Sequence, residues 1–320
     1  MTESTLLRLL AVNDRSVQIG LVILDEAHER SASLDSLVAI LCRGNSQIGQ
    51  NAKVIISSAT VDTTQFENFL PGSATVLLNQ SRFPVEVETF LADPAFSTMK
   101  EVATKAFDTL HKSYIQHRNT TSVGKQLAKL IGNTLCFLAG SMDCEHAAEM
   151  FFNSVQGNSN WLHVVIPDVS ASESIDEWRK ELRKSLDLLN DDVVPVVLIP
   201  LYGQLPVQSQ ERALVSGNIE DSVVRIIFST NIAETSVTIP AVAQVIDSGL
   251  QKTAVYNPER ETTLLQLEVV SESSRKQRQG RAGRVRPGKC LSFVWPTPKL
   301  GGPIPHDDSK PEICRYDATH

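Results

Sequence analysis

The feature that most constrains this chain is a series of short, unbroken apolar runs rich in β-branched residues. They are "LVIL" at 21–24, "KVIISS" at 53–58, "TLCFLAG" at 134–140, "LHVVIP" at 162–167, "VVLIPL" at 196–201, "VVRIIFS" at 223–229 and "VAQVIDSG" at 242–249. A strand with one wet face alternates polar and apolar residues. Runs that do not alternate belong to strands covered on both faces, as in a parallel sheet between helical layers. The segments between them read as helices. In "SIDEWRKELRKSLDLL", Ser174 and Glu177 have capping-box spacing, and Ile175, Trp178, Leu182, Leu186 and Leu189 form one apolar stripe. Strand–helix alternation through most of the chain predicts an α/β fold.

Pro84 and Pro94 flank an alternating segment, "SRFPVEVETFLADPAF" at 81–96, which reads as an extended connector between two sheets. About 80 residues precede it, fewer than the roughly 100–150 of a complete doubly wound domain. The expected organisation is a partial first lobe at 1–82, a connector at 83–96 and a second lobe at 97–320. Residues 98–130 and 153–192 carry Ser, Asn and Asp clusters and read as variable surface insertions. No apolar run approaches the roughly 18 residues that cross a bilayer. The start, "MTESTLLRLL", lacks the basic and apolar regions of a secretory signal. Five cysteines without a CxxC pair fit reduced thiols in an intracellular setting, nuclear or cytoplasmic, and argue against a zinc site.

The net charge of −7 argues against a surface that is one continuous nucleic-acid footprint, so the distribution of charge matters more than its sum. Seven basic residues and no acid lie between Arg275 and Lys289: Arg275, Lys276, Arg278, Arg281, Arg284, Arg286 and Lys289. Gly280, Gly283 and Gly288 interrupt the run and the apolar "CLSFVW" follows it, so it belongs inside a fold rather than to a basic tail.

Chemistry-bearing residues sit where the apolar runs end. In "LVILDEAHER", Asp25, Glu26 and His28 follow a strand, and ligands of open α/β sheets collect at the carboxyl ends of strands. An aspartate there can hold Mg²⁺ on phosphates, and a neighbouring glutamate can orient a water. A charged loop after a strand is the competing account of these four letters. Ser58 and Thr60 end the next run, where small hydroxyls could pass a hydrogen bond or simply cap it. The loop "FSTNIAETSVTIP" offers Ser229, Thr230, Asn231, Thr235, Ser236 and Thr238, side chains suited to sugar–phosphate contacts or to an ordinary turn. In "QRQGRAGR", Arg278, Arg281 and Arg284 recur every three residues and are expected on one helical face, as guanidinium groups that stabilise phosphoryl charge; Gln277 could orient a water.

Taken in order, DEAH at 25–28, SAT at 58–60, "TNIAETSVTIP" and "QRQGRAGR" resemble the DEAH-box (DEAH/RHA) group of superfamily 2 RNA helicases. Further likeness comes from "MTESTLLR" at the start, "CFLAGSMDCE" at 136–145, "PLYGQLPVQSQ" at 200–210 and "PEICRYD" at 311–317. The resemblance implies two RecA-like lobes with mainly parallel sheets, the first incomplete, that use ATP and Mg²⁺ and engage RNA, single-stranded and without sequence preference. It implies Asp25 and Glu26 for Mg²⁺ and water activation, with Gln277, Arg281 and Arg284 at the γ-phosphate. His28 is implied beside that chemistry and, with Ser58 and Thr60, in its coupling to RNA movement. Asp247 is implied as a nucleotide-side contact, and Thr2, Arg8, Thr230 and Asn231 along the RNA path. A protein cofactor is a further implied partner; a membrane is not.

A phosphate-binding GxxxxGK[ST] loop is missing from the sequence. Only Gly124-Lys125 and Gly288-Lys289 pair the two residues. The first has Asn119 where a glycine is needed and Gln126 after the lysine; the second has Cys290 in place of the hydroxyl. The resemblance places the family's loop upstream of Met1, so the chain reads as a fragment. The expected function is therefore ATP-dependent RNA helicase chemistry, with little or no hydrolysis by this chain. The alternatives are a non-enzymatic RNA- or protein-binding module and a DNA helicase.

Overall fold

The computed structural model describes residues 1–12, 19–27, 31–43, 48–58, 66–67, 70, 72–77, 83–93, 98–121, 123–155, 161–167, 174–216, 220–234, 237–257 and 261–295. The chain divides into two compact units, Met1–Gln80 and Ser81–His320. "PEICRYD" and the Pro/Gly-rich stretch before it lie outside the described residues.

In the first unit, strands β1 (Ile19–Leu24) and β2 (Ile48–Ile56) pair in parallel, with Leu24 opposite Ile56. Helices Glu3–Val12 and Ala32–Arg43 supply Leu10, Leu34, Leu37 and Val38 to a core completed by Val22, Leu24 and Ala27. The unbroken run predicted burial on both faces, but β1 alternates. Val22 and Leu24 are buried, whereas Leu21 and Ile23 are 52% and 59% exposed, and Ile55 on β2 is 50% exposed. Side chains along a strand alternate faces. Among the described residues of this unit, the helices cover only the face that holds Val22 and Leu24.

The second unit is built on seven parallel strands: β3 (Val85–Leu91), β4 (Asn133–Phe137), β5 (Leu162–Val165), β6 (Val194–Leu201), β7 (Val224–Ser229), β8 (Val242–Asp247) and β11 (Gly288–Val294). Their spatial order is β3-β11-β8-β4-β7-β6-β5. Here the expectation of two covered faces holds, since β4, β6, β7 and β8 are buried along their whole lengths. Val194, Val196 and Leu198 of β6 face one core with Phe151, Leu110 and Leu127; Val197, Ile199 and Leu201 face the other with Trp178, Leu182 and Leu186. The two helical layers explain why most positions of the central strands are hydrophobic, with buried polar exceptions such as Thr134, Arg225, Gln244 and Asp247. The helix Ile175–Asp187 has the capping box predicted for it: Ser174 Oγ accepts from Glu177 N, and the Glu177 carboxylate accepts from Ser174 N at 3.0 Å.

Three expectations need correction. The segment read as a connector supplies β3, which pairs with β11 from Val85↔Gly288 to Leu91↔Val294 and is built into the second unit. Its alternating "VEVETFL" is what an edge strand shows, and Pro84 sits just before it, where a missing N–H breaks no ladder. Residues 98–130, read as surface insertion, form helices Thr98–His117 and Gly124–Ile131, which bury Val102, Ala106, Leu110, Leu127 and Ile131. Residues 153–192, likewise read as surface insertion, hold the expected strand β5 and helix Ile175–Asp187, and that helix buries Trp178, Leu182 and Leu186 in the core. An antiparallel pair, β9 (Leu250–Asn257) with β10 (Thr262–Val269), stands apart from the parallel sheet. Among the described residues no helix is long and apolar enough to cross a membrane.

Candidate functional site

In the first unit the carboxylate turn is pinned to the end of β2. Ser57 N donates to Leu24 O and Ala27 N to Ser57 O, both at 2.9 Å, which folds the chain after β1 back across the neighbouring strand. Asp25 Oδ1 accepts from Ser57 Oγ and, at 3.0 Å, from Glu26 N. Both bonds fall on one oxygen of an exposed side chain. Glu26 has φ 55°, in the left-handed region that an L side chain occupies at a cost of about 1–3 kcal/mol. Asp25 and Glu26 are thus brought together at the carboxyl end of a parallel strand. The residue that ties Asp25 to the next strand is Ser57, which the sequence reading did not single out. His28 and Thr60 lie outside the described residues. Thr2 caps the helix Glu3–Val12, its Oγ1 accepting from Thr5 N at 3.3 Å, and Arg8 is exposed on that helix.

The carboxyl edge of the seven-stranded sheet is stitched strand to strand. Thr230 N donates to Leu201 O, Leu138 N to Ser229 O, Ser248 N to Phe137 O, and Trp295 Nε1 to Ser248 O. This fixes Thr230 and exposed Asn231 at the edge, where Asn231 opens a short 3₁₀ turn ending at Ala233. Thr235 and Ser236 lie outside the described residues.

The arginine segment departs from a single helical face. The helix Glu272–Gln279 stops at Gly280, and Arg281 and Arg284 lie in the turns beyond it. Gly283 has φ 77°, and a Cβ there would stand 2.9 Å from Phe83 O, so this crossing with the chain entering β3 requires glycine. Arg278 is fully buried. Its Nη1 donates to Asp247 Oδ1 at 2.8 Å, its Nε to Glu234 Oε2 at 3.1 Å, and its guanidinium lies 4.9 Å from the Phe137 ring centroid. Asp247, expected as a nucleotide-side contact, is itself 0% exposed and also accepts from Gly249 N. Its carboxylate serves to neutralise Arg278 inside the fold, because a charge removed from water needs an opposite charge beside it. Arg281 is 6% exposed, and it donates to Glu234 O at 2.8 Å through Nε and to Val237 O at 2.7 Å through Nη1. Gln277 is half-buried, and Arg284 is exposed.

Three further members of the basic run, Lys276, Arg286 and Lys289, also have partners within the unit. Lys276 pairs with Glu272 at 2.8 Å, Lys289 with Glu88 at 3.1 Å, and Arg286 Nη1 donates to Leu130 O at 2.8 Å and Lys129 O at 3.2 Å. Lys289 in turn holds the Glu88 carboxyl below its ordinary pKa. The Gly283–Lys289 stretch that mimics a phosphate loop runs into strand β11 rather than a helix, so its amides are not arranged as a helix N-terminus around an anion. Among the described residues no group of three or more His, Cys, Asp or Glu is placed to cage a metal ion.

The all-parallel sheet, with polar loops at its carboxyl edge and a carboxylate turn on a separate parallel pair, defines an α/β class also seen in RecA-like helicase structures. The family described as Helicase conserved C-terminal domain matches residues 172–286. The chain is 31% identical over 292 residues to the ATP-dependent RNA helicase DEAH12, chloroplastic, and 32% identical over 299 residues to the ATP-dependent RNA helicase DEAH11, chloroplastic, both of Arabidopsis thaliana. These alignments cover 91% and 93% of this chain but 13% and 14% of the relatives, so the chain spans about one seventh of their length. The Escherichia coli DEAH/RHA helicase HrpB superposes with a TM-score of 0.63 at 27% identity, covering 92% of this chain and 30% of that one. A second structure, of the E. coli DExH-box NTPase HrpB, superposes with a TM-score of 0.60 at 26% identity, over 86% of this chain and 27% of that one. The chain belongs to the DEAH-type superfamily 2 helicase family.

Proposed function

We propose that this chain carries the RNA-engaging and phosphate-sensing parts of ATP-dependent RNA helicase chemistry, with little or no ATP turnover of its own. The observation that supports the reading most directly is the strand-end turn in which Ser57 and the Glu26 amide hold one oxygen of Asp25 while the side chain stays exposed. Mg²⁺ keeps several waters and is usually bound through one or two carboxylates plus substrate phosphates rather than by an all-protein cage. A single oriented Asp25 fits that demand. Glu26, next in the chain, is the group to accept a proton from water. Bound Mg²⁺–ATP would supply the polarised phosphoryl group. Arg284, exposed and always charged, suits a developing phosphoryl charge, and half-buried Gln277 is within the same segment. Arg281 would reach a phosphate only after surrendering its two carbonyl partners. Thr230 and Asn231 offer short polar groups to a sugar–phosphate backbone, as do Thr2 and Arg8 in the first unit.

The sequence has no GxxxxGK[ST] cradle. Loss of even one preorganised electrostatic contributor costs on the order of 10²–10³ in rate, and here a lysine and several amides are lacking together. A malachite-green assay with Mg²⁺–ATP and single-stranded RNA should give background turnover for both wild type and Glu26→Gln. Fluorescence anisotropy should report RNA binding with a Kd on the order of micromolar that weakens with salt. Robust Glu26-dependent turnover would overturn the first half of the reading, and absence of RNA binding the second.

A further inference from the structure

We propose that Glu234 is a positioning residue that fastens the turn after β7 to the arginine-bearing segment, so that the two move as one block. The inference rests on the RNA-binding reading only for its functional consequence. Every polar group of Glu234 is engaged. Its amide donates to Asn231 O at 2.9 Å, which closes the turn that displays Asn231. One carboxylate oxygen accepts from Ser274 Oγ, the other from Arg278 Nε at 3.1 Å. Its carbonyl accepts from Arg281 Nε at 2.8 Å. Ser274, Arg278 and Arg281 are four and three residues apart, so they converge on one side of the helix and its exit, and Glu234 is the residue they converge on. Arg278 carries the tie onward to Asp247 at the end of β8 and to Leu250 O at the start of β9.

This arrangement has two competent states for a shift, both segments together or neither. Moving the turn alone would leave the Arg278 guanidinium, at 0% exposure, facing Asp247 with half its charge partners gone. Moving the arginine segment alone would strip Glu234 of three donors. An unpaired buried charge is far more costly than an exposed one, so the network favours concerted displacement. An event felt by Arg284 is thereby linked to the placement of Thr230 and Asn231 without any direct contact between them.

The test uses the full chain with Glu234→Ala, Glu234→Gln and Ser274→Ala. Hydrogen exchange in the absence of RNA should accelerate about tenfold in Glu234→Ala in peptides spanning 228–234 and 276–284 alike, while β6 keeps its protection. Affinity for a labelled single-stranded RNA should fall about tenfold, with the salt slope unchanged because no phosphate-contacting charge is removed. Glu234→Gln, which keeps one acceptor for Ser274 or Arg278, should fall between. Acceleration in one segment only, uniform acceleration across the sheet, or wild-type RNA affinity in Glu234→Ala would overturn the proposal. Should Glu234→Ala not fold, Ser274→Ala, which leaves both ion pairs standing, is read by the same criteria with an effect of about threefold. Wild-type chain that fails to bind RNA would sink the functional reading, while the exchange pattern would still decide the coupling.

Discussion

Replacing Gly132 by alanine tests whether Arg286 is a helix cap rather than a ligand-seeking arginine. Gly132 follows the helix Gly124–Ile131 with φ 76° and ψ −176°, a conformation essentially reserved for glycine. A Cβ there would lie 1.3 Å from Arg286 Nη2 and 3.0 Å from Ala243 Cβ. The guanidinium must therefore leave, and with it the bonds to Leu130 O and Lys129 O that satisfy the last carbonyls of the helix. The backbone term is about 1–3 kcal/mol. Loss of a hydrogen bond from a charged donor adds about 1.5–3 kcal/mol, and the two bonds share one donor group, so they count once. The expected cost of Gly132→Ala is about 2.5–6 kcal/mol, read as a shift in the urea midpoint followed by tryptophan fluorescence. Arg286→Ala alone should cost about 1.5–3 kcal/mol. The two sites share one interaction, so the double variant should fall short of the sum by about 2 kcal/mol. A cost for Gly132→Ala below about 1 kcal/mol, or strictly additive effects, would refute the assignment of Arg286 to the helix end.

Two further outcomes follow from burial and capping. Burial pushes the Cys290 thiol up to about 12, with the Asp247 carboxylate acting in the same direction, and burial raises Cys136 and Cys144 as well. At pH 8 the thiolate of Cys290 is then about a thousandfold scarcer than that of an unperturbed cysteine, so iodoacetamide followed by peptide mapping should leave these three unlabelled until denaturant is added. Ser174→Ala should cost about 1 kcal/mol at pH 7 by removing the cap. The Ser174 N–H, then its hydroxyl, holds the Glu177 carboxyl below its ordinary pKa. A depressed folded pKa means the contribution is present above the unfolded value and is lost as pH falls through the folded one. The gap between wild type and Ser174→Ala should accordingly narrow below about pH 4, measured as urea midpoints at pH 7 and pH 3.5.

The central strands were legible because β4, β6, β7 and β8 are buried along their whole lengths, and double-sided burial writes itself as unbroken apolar runs. Strand β3 at the sheet edge and the β9–β10 pair are mostly exposed, so they lack the unbroken apolar run that marks the central strands, and the alternation of "VEVETFL" reads equally as an extended connector. Asp25 and Glu26 were legible as acids at a strand end. That Ser57 meets Asp25 was not, because adjacent residues of an extended chain point opposite ways, and only the register placing Leu24 opposite Ile56 brings Ser57 to the Asp25 side.

The arginines show the deeper limit. A three-residue spacing says that guanidinium groups fall near one another, but their use is decided by what waits at the other end. For Arg278 that is Glu234 and Asp247, 44 and 31 residues away in sequence; for Arg281 it is the Glu234 carbonyl, 47 residues away. Those partners come together only when β7 and β8 end at the same edge of the sheet. A basic run with acids and carbonyls supplied from such distances becomes internal architecture, and of the three arginines with that spacing only Arg284 is left at the surface. On the proposed RNA-binding reading, affinity is then expected to depend less on the charge of the run than on how rigidly the run holds the turn of Thr230 and Asn231.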